Sequence, residues 1–175
     1  MNHRVKIKNT TISGVVIAGM GGSGIGGELI KAITADSATI PIEIVRDYSI
    51  PFWVGPSTLV ICISYSGDTE ETLSCYSDAL VRGAKILGIT TGGELFARLK
   101  KDRCDFIKIR GGNPPRASLA YLSIPALIYL SDLGLCSKTI KDEIDQSVIS
   151  LLKIRKSFAE QSESNPTINL ATKIF

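Results

Sequence analysis

The chain has 175 residues, 44% hydrophobic and 21% charged, with a formal net charge of +3. This is the balance of a globular chain long enough to bury a core, with room for one domain and a helical appendage. The basic residues are scattered, which argues against nucleic acid as a partner, and no apolar run approaches the roughly 18 to 20 residues of a membrane span.

The opening MNHRVKIKN lacks the apolar stretch of a secretory leader, so a cytoplasmic location is expected, and this end is read as frayed. Gly14 to Ala18 (GVVIA) is a continuous apolar run, the pattern of a parallel strand covered on both faces. From Ile25 to Ala35 the residues Ile25, Leu29, Ala32 and Ile33 recur at helical spacing. Ile42 to Val45 reads as a second strand, followed by a turn-rich segment from Asp47 to Pro56, and Thr58 to Ile63 as a third strand. Glu70 to Val81 is a helix with Leu73, Tyr76, Ala79 and Leu80 facing inward, stopped by Gly83. Lys85 to Ile89 is a fourth strand, Glu94 to Lys101 a short helix, and Asp105 to Ile109 a fifth strand. Such alternation predicts a doubly wound α/β fold, a five-stranded parallel sheet flanked by helices.

After Arg110 the pattern becomes helical. GGNPP, residues 111 to 115, is a loop because its prolines cannot continue a helix. Arg116 to Leu133 is a long apolar helix, and Ser137 to Glu160 is a charged one with Ile140, Ile144, Val148, Leu151, Leu152 and Ile154 as its stripe. Asn165-Pro166 is a cap and first-turn pair opening one more helix, which gives the chain the look of one cut short. The expected domains are residues 12–112 for the sheet domain, 113–164 for a helical extension, and 165–175 for the start of a second domain.

Four cysteines, Cys62, Cys75, Cys104 and Cys136, have no CxxC spacing, and His3 is the single histidine. No metal site is expected, and the cysteines read as reduced, buried thiols. No cofactor is expected.

Three loops follow strand ends, where open α/β sheets bind their ligands. In the first, Gly19, Gly21 and Gly24 match GxGxxG, and Asp47 lies 23 residues after Gly24, as a dinucleotide-binding oxidoreductase would have it. The same glycines would serve a phosphate monoester equally well, because backbone N–H groups and a helix N-terminus hold any anion. The second loop, Ser64-Tyr65-Ser66-Gly67-Asp68-Thr69, favours the monoester. It gathers the hydroxyls of Ser64, Ser66 and Thr69 with Gly67 directly before a helix, although Thr69 or Asp68 could simply cap that helix. The third loop, Thr90 to Gly93, either touches the ligand or only turns the chain.

GMGGSGIGGEL, SYSGDTEETL, ITTGGEL and NPPRASLAYL together resemble the bifunctional phosphoglucose/phosphomannose isomerases, which carry two sugar isomerase (SIS) domains per chain. The resemblance covers the first of these and the linking helices, from about Val15 to Phe175. It implies a hexose 6-phosphate ligand, with Ser64, Ser66, Gly67 and Thr69 at its phosphate and Gly21, Gly22 and Ser23 lining the sugar. It further implies that Arg116 stabilises an enediolate during aldose–ketose isomerisation, and that the active protein is a homodimer or is completed by a second SIS half. A fixed guanidinium beside a developing oxyanion is sound chemistry for that step. The glutamate and histidine that the family uses as base and ring-opening group come from its second half. Here Glu28, Glu70, Glu71 and Glu94 read as first-turn or surface residues, and Glu43 as half-buried in a strand. A sugar-phosphate sensor without catalysis is the alternative.

Overall fold

The structure, a computed structural model, describes residues 2–5, 11–159 and 165–174. Strand β1 covers Asn2–Arg4, β2 Gly14–Ala18, β3 Ile42–Val45, β4 Thr58–Ser64, β5 Lys85–Thr90 and β6 Asp105–Lys108. Helix α1 covers Gly21–Thr34, α2 Glu70–Val81, α3 Gly93–Lys101, α4 Leu119–Asp132, α5 Ile140–Ala159 and α6 Pro166–Ile174. Two compact units divide the chain, Met1–Ser137 and Lys138–Phe175, and α4 lies in the first.

Strands β2 to β6 form the expected parallel sheet, in the spatial order β6-β5-β4-β2-β3. Strand β1 adds a sixth, antiparallel member, with His3 opposite Ile107. The reading of this end as frayed is therefore corrected: three residues are too short for periodicity to register, but they can satisfy the open edge of β6. In β2 and β4 every residue is buried, as the unbroken apolar runs require.

Alternate side chains serve opposite layers. Val16, Ala18, Val60, Cys62 and Ile86 pack with Cys75, Tyr76 and Ala79 of α2 and with Leu95 and Leu99 of α3. On the other face Ile17 meets α1 at Gly27, and α1 in turn packs against α4. The inward face of α2 runs through Thr72, Cys75, Tyr76 and Ala79, leaving Leu80 exposed, contrary to expectation.

Helix α1 departs further from its sequence pattern. It starts at Gly21, four residues before the predicted Ile25, and its buried face is Ser23, Gly24, Gly26, Gly27, Ile30 and Thr34. Ile25 and Ile33, which hydrophobicity placed inside, are 56% and 43% exposed. The reason is close approach. A Cβ on Gly27 would stand 3.1 Å from Ile17 Cγ2, one on Gly26 3.6 Å from Leu122 Cβ, and one on Gly24 2.7 Å from the Gly19 carbonyl oxygen. Glycines, not aliphatic side chains, let the helix sit against the sheet on one side and α4 on the other.

The predicted helix from Arg116 is split. Pro115–Ala117 is a 3-10 turn, closed by Ala117 N–H on the Pro114 carbonyl at 2.9 Å, and the α-helix begins at Leu119. Consecutive prolines lack the N–H groups that a continuous helix would use, so the chain makes one tight turn first. Helix α5 starts at Ile140 rather than Ser137.

All four cysteines are thiols; Cys62, Cys75 and Cys136 are buried and Cys104 is half-buried. Burial pushes the Cys62 thiol far up, and pushes Cys75 up to about 11 with help from the nearby carboxylates of Asp78 and Asp47. A methyl group at Gly24 would stand 2.7 Å from the Gly19 carbonyl oxygen, backbone that cannot swing away, and 2.9 Å from Arg46 Nε, which can. Gly24→Ala should therefore lower stability by about 1–3 kcal/mol in urea unfolding.

Candidate functional site

Strand β2 lies between β3 and β4, so the connections on its two sides run in opposite directions. This leaves a crevice outside the carboxyl ends of β2 and β4, the place where open α/β sheets take their ligands. The loops after both strands end there. A Cβ on Gly19 would lie 3.0 Å from the Ile63 carbonyl oxygen, so the glycine loop and the root of the serine loop are in contact.

The first wall is the start of α1. Gly21 has φ +49, and no neighbour stands within 4 Å of where its Cβ would be. Gly21 is exposed, Gly22 half-buried and Ser23 buried. Met20 holds the N-cap position without a side-chain capping bond. The expected glycine loop is thus mostly the first turn of a helix, with its N–H groups at the crevice.

The second wall is Ser64 to Thr69. Ser64 is only 1% exposed. Its Oγ accepts from Gly67 N–H at 3.0 Å and lies 2.9 Å from Thr69 Oγ1. If Ser64 is the donor, Thr69 keeps its proton for another acceptor. Ser66 is exposed, and its Oγ accepts from Asp68 N–H at 3.2 Å, so its own proton is not used in that bond. Thr69 is the N-cap of α2 but makes no side-chain capping bond. Asp68 does cap a helix, though not the one it precedes: its Oδ1 accepts from Glu94 N–H in the first turn of α3, at 2.8 Å.

The third loop braces the second. Thr91 donates to the Tyr65 carbonyl through its N–H at 3.2 Å and its hydroxyl at 2.7 Å, and Leu95 N–H donates to the Gly67 carbonyl at 2.8 Å. Thr90 Oγ1 donates to the Gly92 carbonyl at 2.9 Å. The hydroxyls of Thr90 and Thr91 thus both bond backbone carbonyls of these loops.

The segment before Arg116 is tied to the same loop. Tyr65 OH donates to the Asn113 carbonyl at 2.6 Å and accepts from Asn113 N–H at 3.1 Å. Arg116 follows three residues later, exposed, in the 3-10 turn, which packs against α1 and α4. Sequence reasoning missed Asp68 as a clamp and Tyr65 as a tether. An Asp before a helix signals a local cap, and nothing in the chain marks a contact that spans 48 residues.

Three of the glutamates singled out in the sequence have side-chain partners. Glu28 pairs with Arg46 at 3.0 Å, Glu94 with Arg98 at 2.8 Å, and Glu70 accepts from Tyr48 OH at 3.4 Å. Glu43 is exposed on the edge strand β3, not half-buried. Asp47, the residue a dinucleotide reading would use, accepts from Tyr48 N–H at 2.6 Å. Among the described residues no cluster of His, Cys, Asp and Glu could hold a metal ion, and no helix is long and apolar enough to cross a membrane.

No family model matches the chain. A bifunctional phosphoglucose/phosphomannose isomerase of Caldicellulosiruptor bescii is 43% identical over 176 residues, covering 99% of this chain and 52% of the relative. The protein of the same name from Aquifex aeolicus is 37% identical over 155 residues, covering 88% of this chain and 46% of the relative. The chain therefore spans about half the length of the relatives it matches. Among solved structures, a hypothetical protein of Thermus thermophilus superposes with a TM-score of 0.70 at 20% identity, over 93% of this chain and 41% of that one. The Vibrio vulnificus NanR protein, complexed with ManNAc-6P, gives 0.52 at 16% identity, over 85% of this chain and 57% of that one. At such identities the structural likeness speaks for the fold. With the sequence relatives it places the chain as a homologue of the bifunctional phosphoglucose/phosphomannose isomerase family, with an SIS phosphosugar-isomerase fold corresponding to about half of those proteins.

Proposed function

We propose that this chain is the hexose 6-phosphate-binding half of an aldose–ketose isomerase that interconverts glucose 6-phosphate or mannose 6-phosphate with fructose 6-phosphate. One observation carries the reading. None of the three helices that begin at strand ends around the crevice is capped by the side chain of its own N-cap residue; α3 is capped instead by Asp68 from the serine loop, and α1 and α2 lack such a bond. Two neighbouring helix N-termini, with the hydroxyls of Ser66 and Thr69 beside them as donors, suit a phosphate dianion.

In this reading the phosphate sits at the start of α2. Ser66 and Thr69 donate to it directly. Ser64 acts behind them, turning the Thr69 hydroxyl outward, and Gly67 lets the backbone bend into the cradle. Gly21, Gly22 and Ser23 line the sugar. Arg116, held through the Tyr65–Asn113 tether, faces the oxygen on which negative charge develops when the proton alpha to the carbonyl is removed. In this reading the base and the ring-opening group come from the other half of the family's chain; here Glu28 and Glu94 are turned to arginines and Glu70 to Tyr48. That engagement is also what favours the second reading, a sugar-phosphate sensor.

Isothermal titration with hexose 6-phosphates tests the cradle. The Ser66→Ala, Thr69→Ala double variant should lose on the order of 1.5–3 kcal/mol of binding for each charged hydrogen bond removed. Unchanged affinity would remove the phosphate from this loop. The 175-residue chain alone should bind hexose 6-phosphate and show no isomerase turnover in a coupled assay. Robust turnover would place the base within this chain, and stabilisation by NADH instead of hexose phosphates would favour the dinucleotide reading.

A further inference from the structure

Tyr65 stands between Ser64 and Ser66, and different parts of the chain hold its main chain and its side chain. Its carbonyl accepts two bonds from Thr91, the N–H at 3.2 Å and the hydroxyl at 2.7 Å, which fix it to the loop after β5. Its half-buried side chain reaches the segment before Arg116. There the phenol donates to the Asn113 carbonyl at 2.6 Å and accepts from Asn113 N–H at 3.1 Å. A hydroxyl that both donates to and accepts from the main chain of one residue fixes where that residue lies and how its peptide planes are turned.

The segment depends on such a hold. Residues 111–114 are all exposed, so packing gives them little support. Gly112 has φ +99, with no neighbour within 4 Å of where its Cβ would be, and turns the chain through open space. Downstream the frame is firm. The Pro114 carbonyl accepts from Ala117 N–H at 2.9 Å and from the Ser118 hydroxyl at 3.1 Å, and Ser118 is buried at the head of α4. Arg116 lies between these anchors, with the Tyr65 hydroxyl on one side and α4 on the other.

We infer that Tyr65 is a positioning residue: its hydroxyl sets the span between the phosphate cradle and Arg116, so that a ligand charged at both ends is held by the two together. This role rests on the hexose-phosphate reading proposed above and adds a residue that acts through Arg116. The ligand it favours is a phosphate monoester with a second negative charge near the far end of its carbon chain, as an enediolate has. Without the hydroxyl the cradle keeps its own bonds, which run through Ser64, Gly67 and Leu95, while the arginine segment loses its anchor.

Calorimetry on the full 175-residue chain with two ligands reads this coupling. Glucitol 6-phosphate offers the phosphate alone. 5-Phosphoarabinonate adds a carboxylate where the enediolate charge develops, and the unaltered chain should bind it more tightly. Tyr65→Phe keeps the ring and removes both bonds to Asn113. It should weaken 5-phosphoarabinonate binding about five- to tenfold and leave glucitol 6-phosphate within about twofold. Arg116→Ala should abolish the preference, and Tyr65→Phe added to it should cost nothing more. Hydrogen exchange without ligand gives a second readout: Tyr65→Phe should speed exchange at Asn113 and Ala117 and leave the amides of Gly67 and Leu95 protected.

A Tyr65→Phe chain that keeps the preference, weakens both ligands alike, loses further on top of Arg116→Ala, or exchanges Asn113 and Ala117 no faster overturns this role. An unaltered chain that binds glucitol 6-phosphate but shows no preference overturns it too, with the cradle left standing. An unaltered chain that binds neither ligand removes the hexose-phosphate reading itself, and this role with it.

Discussion

Gly67 adopts φ +85, and a Cβ there would stand 2.0 Å from the Gly92 carbonyl oxygen. A Cβ on Gly93, at φ +67, would stand 2.5 Å from the Ser66 carbonyl oxygen and 2.7 Å from Asp68 Oδ1. The loops after β4 and β5 are therefore pressed backbone to backbone, a contact that only glycine on both sides permits. Everything at the crevice depends on this closeness. It brings Leu95 N–H to the Gly67 carbonyl and Glu94 N–H to Asp68, and so fixes the turn from which Ser66 and Thr69 reach outward. The serine loop is held by a rigid neighbour rather than by its own sequence, as preorganised anion sites generally are.

The electrostatic layout follows from the same contact. A carboxylate at the lip of an anion site would repel its ligand. Asp68 escapes that role because its charge is spent on the N-terminus of α3, on the far side of the loop contact. Glu70 and Glu71 lie in the first turn of α2, and Tyr48 OH draws the Glu70 carboxylate to itself.

Much of this was legible in the chain. The unbroken apolar runs of β2 and β4 announced strands covered on both faces, and the alternation of elements announced the parallel sheet. Glycine and serine at strand ends marked the crevice. What stayed hidden had physical causes. Hydrophobicity put Ile25 and Ile33 inside α1, but that helix is seated through Gly24, Gly26 and Gly27, and close approach leaves no apolar signature in a sequence. Ser64 looked like a ligand-facing hydroxyl equal to Ser66. Only the fold reveals that it is buried and braces Thr69. Tyr65 and Asn113 are joined by tertiary geometry alone.

Strand β1 runs against the grain of a sheet that is otherwise parallel. By covering β6 it leaves β3 as the other rim, a strand of four residues with the carboxylate of Glu43 turned to solvent. A short, charged rim is a poor template for adding a foreign strand. Both rims of the sheet, β1 of three residues and β3 of four, are thus short, which disfavours edge-to-edge aggregation of a core rich in isoleucine and valine.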